Sequence, residues 1–407
     1  MVFNPTSSRA PLSAIAILVL ALLSAVAPFA TDMYLPGFTQ ISVDFAVSAA
    51  SVQLTLTSFL IGLAMGQLII GPLSDRYGRR KPLLIGTALA IIASGLCVAA
   101  PNIGSLIALR VLQGVGGAAG VVLARAIIAD RAPDASWAAR QMQIMMIIGG
   151  VAPAIAPITG TAIVHLFGWR EVFVITALLS LVSFLGVIWY VDESLPSESR
   201  IAGGGRVFFR SLQLLAKSRA YIGYTFVTGF TFMALFGYIS SSPFIYQNVL
   251  GFSATQYSLA FAINALGIVL FGTVSAKLVS KIEPRQLIAY GLAVLIVATL
   301  AILSGSLLGA GPVFMAPSIF FAVASVGAIL GNANALAIRQ VPTVAGTGSA
   351  VVGALQFSLG ALASPIVGLG GKGNSLPMAL VLFGAASAAT LCFLLLTDRG
   401  HPEGNHQ

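Results

Sequence analysis

The chain is a succession of long apolar runs broken by short polar interruptions, with neither the strict alternation of strands nor the one-sided stripe of helices in a water-soluble protein. A run of about 20 apolar residues is long enough to cross the hydrocarbon of a bilayer as a helix. Twelve such runs are predicted: 12–35, 50–71, 82–100, 103–126, 140–163, 170–191, 219–245, 254–278, 285–306, 311–332, 345–368 and 377–397. The longest polar stretch, 192–218, carries Asp192, Glu193, Glu198, Gly203-Gly204-Gly205 and several arginines, and it divides the spans six and six. The expected architecture is an all-α integral membrane protein of twelve transmembrane helices in two six-helix bundles. Residues 1–191 form the first bundle, 192–218 the linker and 219–407 the second bundle.

Composition agrees with this pattern. Of the 407 residues 57% are hydrophobic and 8% charged, against about 25% charged in soluble domains, and the mean hydropathy is +0.97. The net charge of +9 reads as a topological signal rather than a nucleic-acid surface, because short cytoplasmic loops concentrate Lys and Arg. Eighteen of the 21 Lys and Arg fall on the side of the 71–81 loop; only Arg170 and Lys372 lie on the other side, and Arg110 lies within a span. Both termini and the linker are therefore expected in the cytoplasm. The first run continues past the cleavage-like Ala25-Val26-Ala27 to Pro36, which favours a retained span over a signal peptide.

Few residues offer reactive chemistry. Cys97 and Cys392 sit in separate apolar runs, and His165, His401 and His406 fall in a loop and the tail, so neither a metal site nor a catalytic centre is expected. No G-x-x-x-x-G-K-[ST] phosphate loop is present, which argues against a nucleotide-driven pump. No cofactor is implied.

Asp32, in Phe29-Ala-Thr-Asp-Met-Tyr-Leu-Pro36, is the only one of the 12 acids placed inside a span. An acid there costs about 2.5–3.5 kcal/mol on insertion scales, which makes it a candidate functional residue; the bland alternative is an acid solvated near the outer surface. Arg110 lies about seven residues into the fourth span, roughly 10 Å from its outer end at 1.5 Å per residue, a depth similar to that of Asp32. The two are expected to form an ion pair or a water-mediated contact as the proton-coupling pair, unless Arg110 serves only to hold backbone carbonyls.

The 71–81 loop reads Gly71-Pro-Leu-Ser-Asp75-Arg76-Tyr-Gly78-Arg79-Arg80-Lys81. Asp75 is expected to pair with an arginine or a helix N-terminus across the cytoplasmic face, forming a conformational latch. The fifth span, with Gly149-Gly150, Pro153, Pro157 and Gly160, combines small residues that admit close helix contacts with prolines that bend helices; Gly150, Pro153, Pro157 and Gly160 form a candidate hinge. Gly62-x-x-x-Gly66 and Gly116-x-x-x-Gly120 are candidate packing sites. The second half carries almost no intramembrane charge. Its candidate substrate-binding residues are Phe236, Tyr238, Asn264, Asn332, Gln356 and Phe357, facing Asp32 and Tyr34 of the first half; an apolar cavity with a few amides and hydroxyls suits an amphiphilic or uncharged ligand.

The loop, with its G-x-L-x-D-R-x-G-R-R form, the segment Arg110-x-x-Gln113-Gly114 and the proline–glycine pattern of the fifth span resemble the drug:proton antiporters of the major facilitator superfamily. Asp32-Met33-Tyr34-Leu35-Pro36 resembles the first-helix signature of the bicyclomycin/chloramphenicol (Bcr/CflA) resistance branch. The resemblance implies the major facilitator fold and a monomer in the bacterial plasma membrane. It also implies export of antibiotics in exchange for protons, with Asp32 as the proton-linked acid. Relatives that export cationic drugs can carry a second acid eight residues earlier, where this chain has Ser24, so uncharged, phenicol-like compounds are favoured. The alternative is a proton-linked metabolite, sugar or siderophore carrier of the same fold. An integral-membrane enzyme would need a cluster of reactive groups that the sequence does not offer.

Overall fold

The structure, a computed structural model, describes residues 12–200, 204–371 and 373–397; Arg9, Lys372 and Arg399 of the charge count lie outside them. Among the described residues twelve α-helices have 19 residues or more. In chain order they are α1 (Ala14–Asp32), α2 (Ala49–Tyr77), α3 (Arg80–Val98), α4 (Ile103–Asp130), α5 (Ala135–Leu166) and α6 (Arg170–Tyr190) in the first half. The second half has α7 (Arg219–Phe244), α8 (Ala254–Leu278), α9 (Pro284–Leu308), α10 (Pro312–Arg339), α11 (Ala345–Gly368) and α12 (Leu376–Leu396). Eleven of these elements are long and apolar enough to cross a membrane among the described residues. The remaining one, α5, is a continuous helix of 32 residues that contains the expected fifth span.

Helix starts are set by local chemistry. Ser48, Asn102, Asp134 and Ser253 each present a side-chain oxygen to a free backbone N–H of the first turn, which satisfies donors that the helix cannot. Close packing follows the small residues: α2 meets α4 where a Cβ on Gly62 would stand 2.2 Å from the Val111 carbonyl oxygen. The halves meet along α2 against α11 and α5 against α8. The amphipathic helix Gly204–Lys217 lies in the linker and contacts both α2 and α11. We call the end of the bundle that carries the 71–81 loop the basic end, and its opposite the far end.

The expected end of the first span at Pro36 is corrected. The α-helix stops at Asp32, passes through a turn and a 3-10 segment (Leu35–Gly37), and resumes as Phe38–Asp44. Pro36 has no N–H to give to the carbonyl of Asp32, so the regular ladder breaks there. Asp32 therefore lies deeper than a helix ending at Pro36 implies. Pro243 lies inside α7, one residue before its end, and the chain continues into a π-helical turn, Ile245–Val249, before it reverses.

Candidate functional site: a buried acid facing a tyrosine–asparagine cluster

Asp32 is 4% exposed and terminates α1 at the break described above. The side chain of its neighbour Thr31 is turned back along the helix, donating to the Pro28 carbonyl at 2.9 Å. Across the interface between the halves, the turn that follows Asp32 meets α7, with Phe38 packed on Phe244 at 6.2 Å between ring centres. The acid thus sits at the seam of the two bundles.

Arg110 is fully buried but forms no ion pair with Asp32; among the described residues the ion pairs are Arg79–Asp75, Arg79–Asp130 and Arg170–Asp44. Its Nη1 donates to the Ala30 carbonyl at 2.9 Å and to Gln113 Oε1 at 2.7 Å, and its Nε to the Thr55 carbonyl at 3.3 Å. Gln113 is oriented in turn by donating to Ser94 Oγ at 2.8 Å. The guanidinium carbon lies 4.4 Å from the ring centre of Phe59, 4.9 Å from Tyr34 and 5.8 Å from Phe173. Ring faces and carbonyls, both negative, replace the expected carboxylate as its partners. Tyr34, expected to meet substrate, is likewise buried, with its hydroxyl 3.0 Å from Thr55 Oγ1; it packs this scaffold together.

The second-half candidates separate into three groups. Tyr238 and Asn264 come together: Asn264 Nδ2 donates to the Tyr238 hydroxyl at 2.8 Å and to the Tyr246 hydroxyl at 3.1 Å. Tyr238 stacks on Phe261, and the Tyr257 hydroxyl lies 3.3 Å from Ser242 Oγ. Phe236 and Phe357 both pack against Phe232, and Gln356 is half-buried on the same helix as Phe357. Asn332 stands apart. It donates to Ser275 Oγ at 2.7 Å and to the Ala328 carbonyl, which ties α10 to α8 and removes it from the cluster facing Asp32. Tyr257 was not anticipated from the sequence, although it lies two helical turns before Asn264 on one face of α8.

The all-α membrane fold agrees with the comparisons. The Major Facilitator Superfamily model matches residues 20–365. The chain belongs to this superfamily. An uncharacterized MFS-type transporter, YdgK of Bacillus subtilis (strain 168), is 35% identical over 98% of both chains. A bicyclomycin resistance protein homolog of Haemophilus influenzae is 30% identical over 94% of this chain and 96% of that one. A multidrug transporter, MdfA of Yersinia pestis, is 28% identical over 88% of each. Among solved structures, a D-xylose-proton symporter superposes with a TM-score of 0.75 at 17% identity, over 94% of this chain and 96% of that one. The protein is a multi-pass membrane transporter and not an enzyme.

In this major facilitator chain the 71–81 loop is closed within its own half, not across to the other. Asp75 accepts from Arg79 Nη1 at 2.5 Å, and Arg79 Nε donates to Asp130 Oδ2 at 3.0 Å. Arg80 Nη2 donates to the Ile188 carbonyl at 2.7 Å, and Arg76 lies over the Tyr77 ring. The start of the linker docks on the loop, a contact the sequence did not suggest. Glu193 accepts from the backbone N–H of Arg79 at 2.7 Å, of Leu195 at 3.0 Å and of Arg80 at 3.2 Å, while Ser194 Oγ donates to Asp130. Burial alone would push the Glu193 carboxyl up; the three N–H groups and the charge of Arg200 outweigh it and hold it below the usual carboxylate range. Arg79 also loses solvation on burial, but its two carboxylate partners hold its guanidinium above the usual range. Gly78 adopts φ +89°, and a Cβ there would stand 2.3 Å from Glu193 Oε2, so both backbone and space demand glycine. Gly71 has open space around it.

The expected hinge residues Gly150, Pro153, Pro157 and Gly160 all lie inside the unbroken α5. Gly160 has a definite packing role: a Cβ there would stand 2.2 Å from the carbonyl oxygen of Met33, next in sequence to Asp32.

Proposed function

We propose that the protein exports small amphiphilic drugs from the cytoplasm in exchange for protons, by alternating access of one central site to the two sides of the membrane. The observation that carries this reading is the placement of Asp32. It is the one acid expected inside a span, and it lies buried where the halves meet, opposite a cluster of tyrosines and one amide. Bicyclomycin resistance and multidrug transport are what the names of two proteins similar to this chain state, and both accord with this reading.

In the proposed cycle Asp32 takes a proton in the outward-facing state as drug leaves, and loses it in the inward-facing state as drug binds. Exchange of a neutral drug for one proton moves one charge, worth about 2.3 kcal/mol per 100 mV, which sustains a concentration ratio without nucleotide hydrolysis. The basic end faces the cytoplasm, placing the termini there. Tyr238, Asn264 and the Phe236–Phe357 group contact the drug. Ser24, where a second acid would serve cations, favours uncharged, phenicol-like compounds. Arg110 positions the Asp32 segment, the 71–81 loop stabilises one end of the cycle, and α5 flexes at Gly150, Pro153 and Pro157. The transporter works as a monomer in the bacterial plasma membrane.

The test compares growth of a drug-sensitive bacterial host, on a panel including phenicols, with wild-type protein or equal amounts of Asp32→Asn. Resistance to a few compounds that disappears with Asn supports both the export and the coupling role. Resistance that survives the substitution sinks the role of Asp32, and no resistance with protein present in the membrane sinks drug export.

A further inference from the structure

The third and fourth helices of each half pack directly on each other, α3 on α4 and α9 on α10, but in different ways. Between α3 and α4 the backbones touch: a Cβ on Gly116 would stand 2.6 Å from the amide nitrogen of Ala90. Between α9 and α10 side chains intervene. Ile329 Cγ1 lies 2.6 Å from the position of a Cβ on Gly291, and Met315 Sδ lies 2.7 Å from that on Gly305. These contacts sit toward the two ends of α9 and act as spacers. Between them α9 carries Ala293, Ala298 and Ala301, too short to fill the gap that the spacers leave.

The result is a groove of about 580 Å³, walled by Phe314 and Phe321 of α10 and by Val294 and Val297 of α9. Its size falls within the range of small-molecule sites, about 300–1,000 Å³. Helix α9 packs on α10 and α12 at the periphery of the bundle, and Val297, Val313, Phe314 and Phe321 are exposed. The groove therefore opens on the surface that meets lipid. Along α10 it runs from Val313, the second residue of the helix, to Phe321, which covers about 12 Å at 1.5 Å per residue. One leaflet contributes about 15 Å of hydrocarbon. Groove and leaflet thus match in length, counted from the far-end surface.

Chemistry and width select the occupant. Ser318 is the one polar residue in the lining, and its hydroxyl donates to the Phe314 carbonyl at 2.9 Å. A drug with polar groups would bury them there without partners, which is costly. Spread over about 12 Å, the volume gives a mean cross-section of about 50 Å², less than the roughly 80 Å² of a helix 10 Å across. A transmembrane helix, from another protein or a second copy, is too thick. Hydrocarbon chains are thin, need no polar partner, and gain dispersion contacts from several sides at once in a walled groove.

We propose that the α9–α10 groove binds the acyl chains of one phospholipid from the far-end leaflet. The lipid is a fixed component that completes the packing of α9 on α10, with its headgroup beside the turn 309–311. The corresponding face of α3 and α4, where backbones touch, has no such lipid. The assignment is independent of what the protein transports.

Photolabelling of the full chain tests it. Delipidated protein is reconstituted in nanodiscs of phosphatidylethanolamine and phosphatidylglycerol, with a trace of phosphatidylethanolamine carrying a diazirine on one acyl chain. Label in 293–301 and 313–321 is expected to exceed that on α3, whose Ile85, Ile92 and Leu96 are also exposed. The expected excess is about tenfold, the ratio that a preference of about 1.4 kcal/mol over bulk lipid gives. Ala301→Phe fills the groove and should bring the ratio to about one, the value for unselective contact, with label on α3 unchanged. Ala293→Leu, a smaller filling, should lower the ratio in the same sense and serves where the larger side chain prevents folding. Equal label on the two faces of the wild type overturns the proposal, as does an excess that neither filling removes. A diazirine fatty acid that labels the groove as strongly as the phospholipid overturns the choice of phospholipid.

Discussion

Arg110 donates to the backbone carbonyl of Ala30 at 2.9 Å, two residues before Asp32, and not to the carboxylate itself. A cation that grips the chain beside an acid fixes where the acid sits whatever its charge, whereas an ion pair would release it on protonation. The second carbonyl partner, Thr55, extends the same grip to α2.

Arg110→Lys is expected to fail as a conservative change. An ammonium cannot reach the Ala30 and Thr55 carbonyls and Gln113 Oε1 in the fixed geometry of a planar guanidinium. Hydrogen bonds to charged groups are worth about 1.5–3 kcal/mol, so the variant should lose stability of that order and most of its transport. Thermal unfolding of the detergent-solubilised protein measures the first, and uptake by inverted membrane vesicles the second. A variant with wild-type stability would contradict the scaffold role.

Gly160→Val should abolish transport while leaving helix content intact. Its side chain would have to displace the Met33 carbonyl, already 2.2 Å from the position of a Cβ, and with it the turn that follows Asp32. Circular dichroism and drug accumulation in cells making equal amounts of protein separate the two effects.

Asn264→Leu removes the shared donor of Tyr238 and Tyr246 while keeping the branching and heavy-atom count of the side chain. The expected result is an altered ranking of exported compounds, read as a change in the resistance profile across the drug panel. Asn332→Leu, which loses a bond to Ser275 instead, should lower the amount of folded protein without altering that ranking.

The docking of Glu193 on the 71–81 loop predicts a dependence on acidity at the basic end. Its carboxyl titrates below its usual value when docked, so docking contributes fully above the undocked value of about 4.3 and is lost as pH falls through the lowered one. Glu193→Gln should reproduce the low-pH state at neutral pH. Gly78→Ala should weaken the same contact more, since the φ of +89° itself costs about 1–3 kcal/mol for a residue with a Cβ. Protease protection of the segment 71–81, measured against pH, checks both.

Much was legible in one dimension. Apolar run length marked the spans, because each must cross a slab of fixed thickness with its backbone bonds satisfied internally. The polar stretch 192–218 suggested a division into halves, and Asp32 was conspicuous because an acid in a span is costly. Gly62 and Gly66 were correctly read as packing positions, as small residues alone let helix backbones touch. What the sequence left undecided is how each helix is rotated and which residues face one another across the bundle. In a bilayer hydropathy hardly distinguishes lipid-facing from buried faces, since both are apolar. Hence Arg110 found carbonyls and rings instead of Asp32, Asn332 turned toward Ser275, and Tyr257 joined the site unannounced. Gln53, 187 residues from Ser240 and 311 from Ser364, could be recognised as a bridge between the halves only once the packing of α2 against α7 and α11 had brought them together.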